Sequence, residues 1–295
     1  MPLPLPHDRL HVYALFSGGA SGLVGLLEGP GHGRDYDIAG ALTDKAEASG
    51  IGRLAGHDRP VQAEVLDYQD FCRQEGLPPG AEARTRYHRE VAGRARRAGA
   101  DTIILAGYFQ VVPEEFLQEF PRTLNVHPAP LHYIARKQPP KGSVGYADLR
   151  DCGNSDPREI APLVGNQGAF TRAFRGGNAP HDVLIAGHAY GVHELRATVH
   201  QTTPDLDLGP ILVESAPLPI DRERVGRNLR NRNWAGIWDY GRALQDQLKD
   251  QGDIPAFREA LHLLAHRRLS LSDGLVWLDG QPLPYKGHQM NRPLI

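Results

Sequence analysis

The sequence has little cysteine, little lysine, no charge excess of either sign and no long apolar run. Of its 295 residues only two are cysteines, Cys72 and Cys152. Two thiols cannot build a disulfide framework or a Cys-based zinc site, so a reducing cytoplasm is the expected compartment. Lys+Arg is 33 against 35 Asp+Glu, a formal charge of −2. That balance speaks against a dedicated nucleic-acid binder, which shows a basic excess. With 40% hydrophobic residues and so small a net charge, it also speaks against disorder. Lysine is rarer than arginine, five against 28, a skew read as codon bias from a G+C-rich source. No stretch approaches the roughly 20 apolar residues of a membrane span. The opening Met-Pro-Leu-Pro-Leu-Pro-His-Asp-Arg lacks the basic-then-apolar layout of a secretory signal, so a soluble, cytoplasmic protein is expected. Fourteen histidines include no His-Glu-x-x-His pair, and no metal is expected.

Glycine and proline are abundant instead: 33 and 24 residues, about a fifth of the chain where about 12% is usual. Loops should be numerous or long. Residues 1–9 read as a tail. Apolar runs of strand length follow at His11–Ser17, Tyr36–Asp44, Val61–Tyr68, Asp101–Tyr108 and Arg122–His127. Between them, Leu23–Leu27, Ala83–Ala98 and Glu114–Phe120 carry helical patterns; Tyr87, Val91 and Ala95 recur four apart on one helix face. Strands alternating with helices predict an α/β fold with a Rossmann-like, doubly wound, mostly parallel sheet. Ligands in such folds sit at the carboxyl ends of strands, here after Ser17, Gly107 and Asn125. Residues 131–180 break the pattern with Gln-Pro-Pro-Lys-Gly, Gly-Asn-Ser-Asp-Pro and Arg-Gly-Gly-Asn-Ala-Pro, and read as a loop-rich insertion. A helix is predicted at His181–Ala186, strands at Arg196–Thr202 and Pro210–Ala216, and helices at about 224–249 and 254–267. Leu269–Leu278 and a Pro-rich end close the chain.

Three constellations could carry chemistry. The first is Ser17-Gly18-Gly19-Ala20-Ser21-Gly22-Leu23 between a strand and a helix. Free amides at a helix N-terminus bind anions, and glycine lets a phosphate approach closely. The plainer reading is a tight turn with Ser21 as N-cap. A nicotinamide dinucleotide is disfavoured because the glycine spacing is wrong, although Asp44 stands where a ribose-binding acid would. The second is Asn125-Val126-His127-Pro128. Strand alternation puts Asn125 and His127 on one face. An amide donor beside an imidazole suits acyl-type transfer, one binding an oxyanion and the other moving a proton. Alone, both side chains could simply satisfy loop backbone. The third is Thr198-Val199-His200 followed by Asp207-Leu208-Gly209-Pro210, where Asp207 either caps a turn or orients and charges His127. The arginine run Arg222, Arg224, Arg227, Arg230 and Arg232 reads as a solvated helix face.

Together with Leu105-Ala106-Gly107-Tyr108-Phe109 and the ending Trp277-Leu278-Asp279-Gly280-Gln281-Pro282-Leu283-Pro284, these pieces resemble the folate-dependent formyltransferase family, most of all its members that formylate glycinamide ribonucleotide in purine biosynthesis. Matching segments run from about residue 11 to 129 and from about 182 to 284. The resemblance implies one formyltransferase-like catalytic domain over 10–295, with the insertion at about 131–180 and a C-terminal helical extension at about 221–268. It implies transfer of a formyl group from 10-formyltetrahydrofolate to a substrate amine, with Asn125, His127 and Asp207 catalytic. Phe109, Gln110, Val111 and Val112, with Thr203 and Asp205 in the Thr203–Asp207 loop, would clasp the pterin. Gly18, Gly19, Ala20, Ser21 and Gly22 would hold a substrate phosphate, supported by His200. The partner expected is a small phosphorylated amine, with neither nucleic acid nor membrane, and a homodimer is conceivable.

The chain departs from that family on the acceptor side. Gly22 stands where an Asn is usual, Gln110 where an Arg is usual, and Ala129-Pro130-Leu131-His132 where Ser-Leu-Leu-Pro is expected. His127 and His200 are 73 positions apart, too far for an ordinary connection. Asp253 is a loose candidate for the acid that contacts the substrate ribose. These departures bear on the acceptor more than on the formyl donor; by the resemblance, glycinamide ribonucleotide is still the first acceptor expected. An amino sugar nucleotide or hydroxyornithine is the second, hydrolysis of formyltetrahydrofolate the third, and an idle folate- or nucleotide-binding protein the alternative of a different class.

Overall fold

The computed structural model describes residues 8–137, 148–164, 168–272 and 274–291. The first half alternates as the apolar runs require. It runs β1 (Leu10–Phe16), α1 (Ser21–Glu28), β2 (Tyr36–Thr43), α2 (Gly50–Ala55), β3 (Ala63–Val65), α3 (Tyr68–Glu75), α4 (Ala81–Arg97), β4 (Thr102–Leu105), α5 (Glu114–Glu119) and β5 (Thr123–His127). A second part follows with β6 (Tyr133–Arg136), β7 (Arg150–Asp151), α6 (Pro157–Ile160), β8 (Phe170–Arg172) and α7 (Ala179–Tyr190). The chain then returns through β9 (Glu194–Leu195), β10 (Thr198–Gln201), β11 (Ile211–Glu214) and β12 (Leu218–Pro219). Helices α8 (Arg222–Arg230), α9 (Trp234–Leu248) and α10 (Ile254–Ala265) precede β13 (Leu269–Ser272), β14 (Leu275–Leu278), β15 (Gln281–Pro282) and β16 (His288–Gln289).

Among the described residues the main sheet has the order β16-β11-β10-β5-β4-β1-β2-β3. Strands β3, β2, β1, β4 and β5 run parallel, and β10 returns antiparallel against β5. The α/β expectation holds. Strand β1 is apolar along almost its whole length because both its faces are covered. Val12, Ala14 and Phe16 face α1 and α10 through Leu23, Leu26, Phe257 and Leu261. Tyr13 and Leu15 face α3, α4 and α5 through Tyr87, Val91 and Phe116. A separate core joins the second part to the helices after β12, around Phe174, Val183, Leu184, Ile237 and Leu244.

Several sequence expectations change. The 61–68 run keeps only Ala63–Val65 as strand. Tyr68 already opens α3, because the Asp67 carboxylate accepts from the amides of Gln69 and Asp70 and starts a helix there. Ser21 is not an N-cap: it is the first helical residue, after Ala20 in a left-handed conformation (φ 51°). Residues 131–180 are not merely loops, since β7-β6-β8 form a small antiparallel sheet. Its strands are too short for their alternation to register as a pattern. Gln138–Gly142, with residues 1–7 of the tail, lies outside the described residues. The helix expected over 224–249 is two helices, split where Arg232 turns left-handed (φ 53°) and Asn233 caps α9 through the Gly236 amide.

At the amino ends of the parallel strands, buried Asp35 ties the turn before β2 to α10. Its two oxygens accept both arms of Arg34 (2.9 and 2.8 Å), His262 Nδ1 (2.9 Å) and His266 Nε2 (3.2 Å). These three residues, Asp35, His262 and His266, form a trio that could offer three ligand atoms to a metal. With the carboxylate already saturated by Arg34, the trio reads as an ion-pair network. Hydrogen bonding from Arg34 holds the Asp35 carboxyl well below the usual range, and the two histidines add to this against the effect of burial. A depressed folded-state pKa means stability that is present above the unfolded value, near 3.9, and lost as pH falls below it. Asp35→Asn should therefore lower Tm by a few degrees at pH 7, and thermal melts of the pair should converge as pH is lowered below about 4.

Candidate active site

The carboxyl ends of β1, β4 and β5, with antiparallel β10 beside β5, open onto one cleft of about 810 Å³. The pairing of β10 with β5 sets its centre. In that register Asn125 lies opposite His200, and His127 opposite Thr198. After β10 the chain must turn back at once. Gly209 makes this possible, since a Cβ there would sit 1.8 Å from the Gln201 carbonyl oxygen. The same turn puts Asp207 in a left-handed conformation (φ 54°), with its buried side chain facing β5.

Three side chains meet at the Asp207 carboxylate. His127 Nδ1 stands 3.5 Å from Oδ2, and His200 Nε2 stands 3.5 Å from Oδ1. Asn125 Nδ2 points at His200 Nε2 (3.2 Å) and at Asp207 Oδ1 (3.5 Å). The tautomers follow from partners that can only accept. His200 Nδ1 is 2.9 Å from the Gln201 carbonyl, so it carries the proton and leaves Nε2 to accept from Asn125. His127 Nε2 is 2.5 Å from the Phe174 carbonyl, so it too carries a proton and leaves the Nδ1 lone pair facing Asp207. Burial, the strongest influence, pushes His127 below the ordinary imidazole value, against the pull of Asp207 and the Phe174 carbonyl. Burial would raise Asp207, but His200, His127 and the Gly176 N–H outweigh it and hold the carboxyl well below the usual range. The resting state is a neutral imidazole poised beside a carboxylate, ready to take a proton on Nδ1. Both His127 nitrogens face protein groups.

Gly18, Gly19, Ala20, Ser21 and Gly22 line one side of this cleft, at the N-terminus of α1. Phe109, Gln110, Val111 and Val112 line another, with Thr203, Pro204 and Leu206 across from them. Phe109, Val111 and Leu206 are exposed apolar side chains at its mouth. Gln110 does not point freely into the space, because its amide donates to Asp44 Oδ2 (2.8 Å). Asp205 is set apart from the others. It lines a neighbouring cavity of about 300 Å³, which Thr203 shares.

The cleft also holds residues the motifs did not single out. Arg53 lines it beside the glycine loop and donates to the Gly19 carbonyl (3.1 Å). Lys249 and Asp250 line it from the π-helical turn joining α9 to α10, beside Asp253, the acid the sequence already offered as a ribose candidate. A charged, Gly-bearing break between two helical runs was the available signal. Burial pushes the Asp253 carboxyl up to about 7, and its Oδ1 has no hydrogen-bond partner among the described residues. From the second part come the Phe174 carbonyl and the Gly176 N–H, which donates to Asp207 Oδ2 (2.8 Å).

The formyl transferase family profile matches residues 11–133, which span β1 to the start of β6. A curated relative from Arabidopsis thaliana, a chloroplastic phosphoribosylglycinamide formyltransferase, is 33% identical over 212 residues, covering 70% of this chain and 55% of its own length. The chain spans a little over half the length of the curated relatives it matches. A phosphoribosylglycinamide formyltransferase structure from Coxiella burnetii shares the fold, with TM-score 0.62 and 21% identity over 96% of this chain and 99% of that one. A formyltetrahydrofolate deformylase structure from Pseudomonas putida shares it too, with TM-score 0.55 and 18% identity over 93% and 71%. No helix among the described residues is long and apolar enough to cross a membrane. Residues 11–133, the segment that carries the glycine loop, Asn125 and His127, belong to the formyl transferase family.

Proposed function

We propose that this enzyme transfers a formyl group from 10-formyltetrahydrofolate to a phosphorylated primary amine, with glycinamide ribonucleotide as the first acceptor to test. The observation that carries this reading is the convergence of Asn125, His127 and His200 on the Asp207 carboxylate in the cleft that the glycine loop also lines. The formyl donor suits the apolar side: Phe109, Val111 and Leu206 offer flat or branched surfaces to a pterin ring. The acceptor phosphate suits the opposite side, where the α1 amides, Arg53 and Lys249 supply positive potential. A neutral Asp253 carboxyl can both donate to and accept from sugar hydroxyls, which fits its unpartnered oxygen.

Each residue then has a defined task. Asn125 Nδ2 gives up its long contact with Asp207 to donate to the formyl oxygen as negative charge develops there. The amine nitrogen bonds to the formyl carbon, the bond from that carbon to N10 of the folate breaks, and the proton the amine loses passes by way of the Asp207–His127 pair to N10 of the departing tetrahydrofolate. Asp207 stabilises the imidazolium formed on the way, and His200 holds the Asn125 amide and the carboxylate in register. A preorganised oxyanion donor is worth about 2.7–4 kcal/mol.

The deciding experiment follows folate absorbance when purified protein meets 10-formyltetrahydrofolate with and without glycinamide ribonucleotide. Amine-dependent release of tetrahydrofolate is expected. Release without amine would instead make the enzyme a hydrolase, and turnover only with an amino sugar nucleotide or hydroxyornithine would reassign the acceptor. Asn125→Ala and Asp207→Ala should each lose at least about a hundredfold in kcat, and near-normal turnover in either would overturn the proposed roles. Asp253 gives a pH prediction of opposite sign to Asp35. Its carboxyl is raised in the folded state, so the wild type loses stability as pH climbs from about 4 through about 7. Denaturant melts of Asp253→Asn should lack that decline and match or exceed wild type at pH 8.

A further inference from the structure

Arg172, the last residue of β8, is 1% exposed, and among the described residues no carboxylate lies within ion-pair distance of it. A buried guanidinium without a counter-charge is costly and needs compensation from what it touches. Its Nη1 donates to the Asp207 carbonyl (2.7 Å), and its Nε donates to the Tyr285 hydroxyl (3.1 Å). The guanidinium also lies 5.4 Å from the centre of the Tyr285 ring. The carbonyl it holds belongs to a non-glycine residue in the left-handed region, a conformation that persists only where its surroundings impose it. Two residues further along, the Phe174 carbonyl binds His127 Nε2, and two beyond that the Gly176 amide binds Asp207 Oδ2. Three groups within five residues of the second part thus fasten the Asp207–His127 pair.

We propose that Arg172 is a positioning residue for the reaction: it holds the Asp207 backbone in its left-handed turn, so that the carboxylate stays between His127 and His200. This rests on the formyl-transfer reading above. Arg172 touches no reacting atom and acts through Asp207. It also lines the neighbouring 300 Å³ cavity with Thr203, Leu208 and Tyr285, which gives a small cation a route to its place.

The test uses Arg172→Ala in the full chain. Its kcat for formyl transfer should fall at least about tenfold while the KM for 10-formyltetrahydrofolate stays within about twofold. Low millimolar guanidinium chloride should restore part of kcat in this variant, and should not stimulate wild type or Asp207→Ala. A loss that guanidinium does not relieve, or an equal rise in KM, would overturn the proposal. A second readout does not depend on activity. The charged groups facing His127 are Asp207, which raises its midpoint, and His200 and Arg172, which lower it, with Asp207 the strongest of the three. If Arg172 holds Asp207 in place, the His127 titration midpoint, followed by NMR, should fall in Arg172→Ala as the carboxylate moves away. If Arg172 is only a neighbouring cation, the midpoint should rise, and the proposal fails. Should Arg172→Ala not fold, Arg172→Lys must retain more kcat than Arg172→Met, because only lysine can still donate to the Asp207 carbonyl; equal rates would refute it. If wild type transfers no formyl group, the functional reading fails, and the NMR midpoint still decides whether Arg172 places Asp207.

Discussion

Everything at the site depends on the antiparallel pairing of β10 with β5, the last of five parallel strands. Strand β10 returns beside β5 in the register that sets His200 against Asn125. A shift of one residue would turn the His200 side chain to the opposite face of the sheet and remove it from the cleft. The tight reversal after β10 then has to bring Asp207 back over β5. It does so through Gly209, where no side chain fits, and through a left-handed Asp207. The parallel strands supply the platform, the glycine loop and the apolar wall. The antiparallel return brings the carboxylate to them.

That carboxylate defines the electrostatics. Buried and unaided, Asp207 would hold a proton, and the site would have no charge with which to stabilise an imidazolium. The Gly176 amide donates to it and both imidazoles favour its ionised form whenever they carry a proton, while burial pushes His127 below the ordinary imidazole value. The result is a base with its lone pair already aimed at the charge that will stabilise its conjugate acid. Asp253, at the far side of the same cleft, shows the contrast. It is half-buried, its Oδ1 is shielded from solvent with no hydrogen-bond partner among the described residues, and its carboxyl is pushed up to about 7. Two aspartates of one cleft therefore differ in protonation because one is surrounded by donors and the other is not.

The long segment between β5 and β10 is part of this arrangement and not an appendage beside it. Its small sheet ends in Arg172, and the next turns present Phe174 and Gly176 to the histidine and the aspartate. Its own core, around Phe174, Val183 and Ile237, ties those turns to α7 and α9. The π-helical turn that follows that same helix, α9, brings Lys249 and Asp253 to the cleft.

Much of this was legible in the residues alone. Apolar runs of strand length, spaced by helical patterns, dictate a covered parallel sheet, because only burial on both faces tolerates a segment such as Leu10–Phe16. Alternation along Thr123–His127 puts Asn125 and His127 on one face whatever the rest of the chain does. The glycine loop is legible for the same kind of reason: only glycine permits such close approach. His200 and Asp207 were candidates in the sequence, but their meeting with His127 was not legible: they lie more than seventy positions from it, and sheet pairing closes that distance. Phe174 and Gly176 act through backbone groups, which every residue possesses and no motif records. Arg172 has a side chain that by type belongs on the surface, and only the tertiary fold buries it against the Asp207 carbonyl. Composition and periodicity determine which segments are strands and which side chains share a face; long-range packing decides which of those faces meet, and so which atoms become a site.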